Sequence, residues 1–355
     1  MQHGTTAPRR FGPTWVAAQR AKLDHRPAEG RQLTYDIAVQ DEYAPWRQWL
    51  DDQLALLPED CGDALAGRVW LDEHFWTVIF ELAAGAALPE AGYTAAYERP
   101  IDGMTPDWTA LGPNGQPLFL LEVHTDNPAK ETFSQMRAWH GLVERIKQIP
   151  VPVVLQLAST GGPDGPIPPP DAGTAKRIAR DLRAGLLALW QPNPPAFTTC
   201  GYTFLVMADP RGGRRMSPLG LRACFIPPSS RAGVVSPARL LDNVTEKVAK
   251  YRGLADQHGL PLAVAAGAHK FTGVTLDGVD LALTGSPAPV LTWQFDEGDT
   301  WFEPITVENK PVQPWAYPPD LAALFWIDHQ WPFQMTARPN PGARRPLTPS
   351  SLLNG

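Results

Sequence analysis

The sequence predicts an α/β protein built on a mixed β-sheet flanked by helices. Residues 104–125 (MTPDWTALGPNGQPLFLLEVHT) read as two strands joined by a tight turn at Pro113, Asn114 and Gly115. Long stretches with apolar residues at helical spacing precede and follow that hairpin. Short, largely apolar runs such as VPVVLQL (151–157) and LAVAAGA (262–268) have the composition of buried strands.

In chain order, the first 40 or so residues are punctuated by Pro and Gly and read as an arm. Trp46, Trp49, Leu50, Leu54 and Leu57 give residues 42–57 a helical period. Residues 71–88 form a longer helix: Asp72 is its expected N-cap, Phe75, Ile79, Leu82 and Ala86 make an apolar stripe, and Pro89 and Gly92 end it. Strands are expected at 93–99, 107–111 and 117–124. A helix over 130–148, a strand over 151–157, a loop through GGPDGPIPPPDAG and a helix over 174–190 follow. Strands at 202–208 and 219–226 flank the turn-rich RGGRRMSP, and a helix over 236–258 takes Ser236 as cap and Pro237 as first residue. After the strand at 262–268, WAYPPDLAALFWI is short and strongly apolar, and the tail is rich in Pro and Arg. With no evident linker, the division expected is an N-terminal helical arm (1–70), a core (71–160) and a C-terminal α/β elaboration of the same domain (161–355).

Composition narrows the function classes. The 355 residues are 43% hydrophobic, enough for a substantial core. The 39 prolines imply many stiff loops. No apolar run reaches the ~20 residues that span a bilayer, and the N-terminus lacks an apolar signal core, so a cytoplasmic protein without a membrane partner is expected. Cys61, Cys200 and Cys224 are far apart, which fits a reducing compartment and argues against a structural zinc site. The net charge of −6 does not advertise nucleic-acid binding, although local patches could supply it: Arg211, Arg214 and Arg215; Arg239, Lys247, Lys250 and Arg252; Arg338, Arg344 and Arg345. Each also reads as an ordinary solvated surface. There is no Gly-x-Ser-x-Gly elbow and no Walker phosphate loop. The aromatic residues Trp315, Phe325, Trp326, Trp331 and Phe333 suit packing or a protein contact better than base stacking.

The chemistry concentrates in three acids. Glu81 interrupts an apolar helix, Asp107 opens one strand, and Glu122 lies inside the apolar FLLEV of the next. A carboxylate buried there is costly unless it is paired or holds a cation. His124 is two residues beyond Glu122 and shares its face of the strand. Carboxylate oxygens suit Mg²⁺, and an added imidazole suits Mn²⁺. Such a cluster could activate water against a phosphodiester. Gln135, on the following helix, is expected to face solvent.

Pro106-Asp107 followed by Glu122-Val123-His124, with Glu81 on the preceding helix, resembles the PD-(D/E)xK nuclease superfamily. The resemblance covers residues 72–157, and the helix NVTEKVAKYRGL followed by LPLAVAAGA is similar to the distal part of some bacterial members. It implies a restriction-endonuclease-like fold, with Glu81, Asp107 and Glu122 holding Mg²⁺ or Mn²⁺ and nucleic acid, DNA first, as substrate. His124 stands where the family has lysine. Three consequences remain open: imidazole serves as the base, a helical lysine (Lys247 or Lys250) substitutes, or the site has degenerated. A lysine of that helix is also readable as plain surface. The function expected is a metal-dependent nuclease in defence, restriction or repair. The alternative is a catalytically inactive module of the same fold within a larger complex, with a protein partner or as a homodimer.

Overall fold

The computed structural model describes residues 10–23, 34–128, 130–158, 161–162, 165–188, 196–207, 214–227, 237–269, 272–285, 288–293, 304–310 and 314–347. The chain divides into two compact units. The first comprises 1–12, 41–128 and 234–355, and the second comprises 13–40 and 129–233. This differs from the single domain expected. The helix Lys130–Ile146 and the strand Val154–Leu157, expected to complete the core of the first hairpin, belong to the second unit. Both are too generic in pattern for periodicity to say which sheet they join.

The first unit is built on a six-stranded mixed sheet. Its order is Thr94–Tyr97, Trp108–Leu111, Pro117–Asp126, Leu262–Ala268, Leu321–Ile327, Met335–Pro339. The first three strands are antiparallel, the next two run parallel to the third, and the last is antiparallel. The expected hairpin turn forms as read. Gly115 takes φ +74°, its N–H donates to Gly112 O at 2.9 Å, and Gly112 N–H donates to Gln116 O at 2.9 Å. A left-handed residue closing a three-residue loop favours glycine there.

The helix Ala238–His258 covers one face of this sheet. Leu240, Leu241, Val244, Val248 and Leu254 pack on Leu120, Val264, Ala266, Leu324 and Trp326. Leu262–Ala268 is buried at every position, which explains its unbroken apolar sequence. LAALFWI likewise becomes a fully buried central strand, and Phe325, Trp326 and Phe333 are core residues. Trp331 remains 40% exposed but packs against Trp46, Trp49 and Phe333, so the aromatic cluster is packing.

The helix Asp72–Glu90 covers the opposite face. Leu71, not Asp72, is its N-cap, and no side chain caps it; Asp72 lies in the first turn and Pro89 in the last. Ser236, the cap expected for the other helix, lies outside the described residues; that helix starts at Ala238 with Pro237 as its cap residue. Close approach to the sheet requires glycine on both sides: a Cβ on Gly85 would lie 2.1 Å from the Trp108 ring, and one on Gly267 would lie 2.5 Å from the Phe80 ring.

The second unit has a four-stranded sheet in the order Ala196–Thr199, Tyr202–Val206, Val154–Leu157, Cys224–Ile226. The helices Lys130–Ile146 and Ala172–Ala188 pack on it through Trp139, Leu142, Ile146, Ile178 and Leu182. Residues 219–222, expected in a strand, are turn and bend. Among the described residues no helix is long and apolar enough to cross a membrane.

Gly85→Ala tests the helix-to-sheet contact. At an exposed helix position this change would stabilise by roughly 0.5–1 kcal/mol. Here we expect a loss of about 1–3 kcal/mol in denaturant unfolding, because the new methyl overlaps the Trp108 ring.

Candidate functional site

The Asp107 segment and the strand Pro117–Asp126 meet one step beyond the ladder that pairs Trp108 with Leu121. Two side chains continue the pairing there. Asp107 N–H donates to Glu122 Oε1 at 3.0 Å, and Val123 N–H donates to Asp107 Oδ2 at 2.7 Å. Each carboxylate therefore satisfies a backbone donor on the other strand. Glu122 is fully buried, while Asp107 is partly open to solvent.

The third member comes from far along the chain. Lys247 Nζ donates to Glu122 Oε2 at 2.8 Å and stands 3.6 Å from Asp107 Oδ2. Val244, Lys247, Tyr251 and Leu254 follow one another at spacings of three and four, so Lys247 occupies a sheet-facing slot of its helix. Burial works against its charge, but Asp107 and Glu122 outweigh that and hold the ammonium above the ordinary lysine pKa. Burial, then the Asp107 charge, pushes the Glu122 carboxyl up, and Lys247 pulls it back. Tyr251 O–H donates to Thr105 O at 3.0 Å, tying the Thr-Pro-Asp segment to the same helix. Burial, then the Glu122 charge, raises the Tyr251 phenol, so it remains a donor. Lys250 does not reach the carboxylates; it lies over the Tyr251 ring, 4.5 Å from the centroid, and its charge opposes that of Lys247.

Glu81 does not join this cluster, contrary to the three-acid site expected. Its helix covers the face of Gly267, which pairs with Thr125; Glu122 and Leu120 point to the other face, toward Lys247. Side-chain alternation thus separates Glu81 from Glu122. Glu81 Oε1 instead accepts from Tyr97 O–H at 2.5 Å, and Glu81 O accepts from Trp108 Nε1 at 2.8 Å. Burial raises its carboxyl to about 7, with the Asp107 charge adding and Tyr97 opposing, so Glu81 remains within electrostatic reach of Asp107. Among the described residues, no group of three or more His, Cys, Asp or Glu is arranged to hold a metal ion.

His124 shares the Glu122 face, as expected from strand alternation. Its Nε2 is buried without a hydrogen-bond partner. Burial, then the charges of Lys247 and Arg239, lowers its pKa to about 4. A neutral imidazole of such low basicity does not retain a proton at pH 7, which weakens it as the general base. Beyond it, the buried Asp126 pairs with Arg239 at 2.5 Å, and Arg239 also donates to Asn127 O at 3.0 Å. Gln135 is exposed on a helix of the second unit.

The basic tail is largely engaged. Arg338 holds Asp280 through two bonds of 2.6 Å, Arg344 pairs with Asp320, and Arg345 bonds Asp256. Arg211 lies outside the described residues. Comparisons with protein families, curated proteins and solved structures gave no match.

Two substitutions probe these groups. Lys247→Met removes the only cation facing the buried Glu122 carboxylate among the described contacts and is expected to cost about 3–5 kcal/mol in urea unfolding. Adding Glu122→Gln should recover much of that loss, giving a strong coupling in the double-mutant cycle. Glu81 binds its proton more tightly folded than unfolded, since its folded pKa is about 7 against an ordinary 4.5. Its contribution is therefore fully present below about 4.5 and is lost as pH rises through about 7. Glu81→Gln keeps an acceptor for Tyr97 and should leave stability unchanged at pH 4.5, but raise it by roughly 1–3 kcal/mol at pH 8.

Proposed function

We propose that this chain is a metal-dependent nuclease of the PD-(D/E)xK type that hydrolyses DNA phosphodiester bonds, with its motif lysine supplied by Lys247. The observation that carries the reading is the closure of Lys247 onto Glu122, 125 residues away in sequence, with Asp107 beside the same ammonium. The topology supports it: a helix, three antiparallel strands, then a helix and a strand parallel to the third. His124 stands in the family's lysine position, and the ammonium reaches the carboxylates from the helix instead.

In this reading a hard divalent cation would be held by a small donor set, and it would have to compete with Lys247 and the backbone donors for the carboxylate oxygens. Asp107 and Glu122 supply carboxylate oxygens, and the buried, unpartnered His124 Nε2 lies on the same face. Two carboxylates leave coordination positions for water, as Mg²⁺ favours, and an imidazole would suit Mn²⁺. Glu81 would act through its charge beside Asp107 and not as a ligand. When bound, the ion would lower the pKa of water and offset charge on the phosphoryl oxygens.

The residues themselves would divide the remaining work. The exchanged bonds with Val123 and the Asp107 N–H fix both carboxylates before substrate arrives. Lys247, held protonated, would orient the attacking water and stabilise negative charge developing on the phosphate. The reading places the protein in the cytoplasm, in a defence, restriction or repair role.

A second reading has its own support. Both Glu122 oxygens are already engaged, by Asp107 N–H and by Lys247, and a closed ion pair of this kind could serve a catalytically silent binding module.

Asp107→Asn and Glu122→Gln each preserve an acceptor oxygen while removing charge. Either should lower Mg²⁺- or Mn²⁺-dependent cleavage of plasmid DNA by about a hundredfold or more with the fold retained by circular dichroism. Full cleavage in either variant would sink the nuclease proposal. Absence of Mn²⁺ binding by calorimetry in the unmutated protein would favour the silent module.

A further inference from the structure

The two units carry opposite charge. The first holds 14 Lys and Arg against 28 Asp and Glu, a net of −14; the second holds 17 against 9, a net of +8. The chain's −6 therefore conceals a basic unit, and a polyanion is repelled by the average field of the acidic one.

Within the basic unit the charge has an ordered place. On the helix Ala172–Ala188, Lys176, Arg177, Arg180 and Arg183 are all exposed, and Lys176, Arg180 and Arg183 follow at spacings of four and three. They line one side of the helix over ~10 Å, about three nucleotides along one strand of B-form DNA. Arg180 and Arg183 border a groove with Arg145 and Gln148, floored by Ile149 and Ala179. Asp181 is the one acid within the helix; it pairs with Arg180 at 2.9 Å and accepts from Thr199 at 2.8 Å. Among the described residues, Lys176 and Arg183 form no ion pair, while Arg177 donates to Thr174 Oγ1 and feels the charges of Asp171 and Asp181 without a direct salt bridge.

Apart from the Arg180–Asp181 pair and the charges of Asp171 and Asp181 near Arg177, this row has no counter-ion among the described residues. Like charges three and four apart on a helix repel each other. Lys176 and Arg177 also stand near the N-terminal end, where the helix dipole disfavours cations, and Asp171, which accepts from Thr174 N–H and Oγ1 just before the helix, offsets Arg177 only in part. A row that costs helix stability and faces solvent is suited to an external anion.

We infer that the exposed face of the helix Ala172–Ala188, with the Arg145 and Gln148 side of the groove, binds the sugar-phosphate backbone of DNA. The choice of DNA among polyanions rests on the nuclease reading; the location of the surface does not. Guanidinium groups can hold phosphate oxygens in pairs, and contacts to phosphate alone bind without regard to sequence.

The test is fluorescence anisotropy of the full chain with labelled 20-nucleotide DNA, duplex and single-stranded, in EDTA so that cleavage cannot intervene. Lys176→Glu with Arg183→Glu should weaken binding by about tenfold or more at 0.1 M salt and flatten the slope of log K against log salt by about 2. Undiminished affinity in the double variant, or no binding of either DNA form by the unmutated protein at low salt, would overturn the inference. Binding that is lost in the double variant, in a protein that never cleaves, would uphold the surface and sink the nuclease reading alone.

Discussion

Everything at the candidate site depends on compensating one carboxylate, Glu122, whose side chain is shut off from solvent. Its side chain is fully buried on a strand whose neighbours are Leu120, Leu121 and Val123. An uncompensated charge there would neutralise or unfold its surroundings. Two groups prevent this: the Asp107 N–H and the Lys247 ammonium, while Tyr251 on the same helix holds the Thr105 carbonyl beside them. Because Lys247 and Tyr251 lie on one helix face, the helix must sit in a single register for the carboxylate and the Thr105 carbonyl both to be satisfied. The polar contact thereby specifies how Ala238–His258 docks on the sheet, while Val244, Val248 and Leu254 supply the apolar burial.

The same constraint orders the strands. A carboxylate that accepts a backbone N–H from its neighbour extends a β-ladder past its last regular pair. Asp107 and Glu122 do this reciprocally, so Pro106 can interrupt the strand while the edge stays closed. Trp108 completes the arrangement from the other face: its ring fills the space left by Gly85 and its indole donates to Glu81 O. Sheet, lysine helix and glutamate helix are linked through two adjacent residues, Asp107 and Trp108.

Much of the site was legible because burial of a charge is visible in sequence. Glu122 inside FLLEV and Glu81 inside VIFELAAG had to be partnered, and both are. Lys247 was legible only as a candidate. Its place in the 244–247–251–254 stripe is a signal, yet a lysine in an amphipathic helix is compatible with either face until the partner strand is known. Tyr97 and Tyr251 gave no sequence signal, since a tyrosine in a strand or helix reads as core. Low basicity at His124 was likewise hidden, because it arises from burial and from two cations contributed by a distant helix.

The sequence by itself determined most of the elements around the site, the hairpin with its left-handed Gly115, and the requirement that two buried acids find compensation, because these follow from local periodicity, turn geometry and desolvation. Only the tertiary structure decided which acids share a site. Alternation along one strand sends Glu122 toward the lysine helix, while the glutamate helix docks on the opposite face, so Glu81 is partnered by Tyr97 instead. The division into two units of opposite charge was also written in the sequence as residues, but the segments 13–40 and 129–233 form one body only once the chain has folded. Which residues share a surface is a long-range property, and no local pattern carries it.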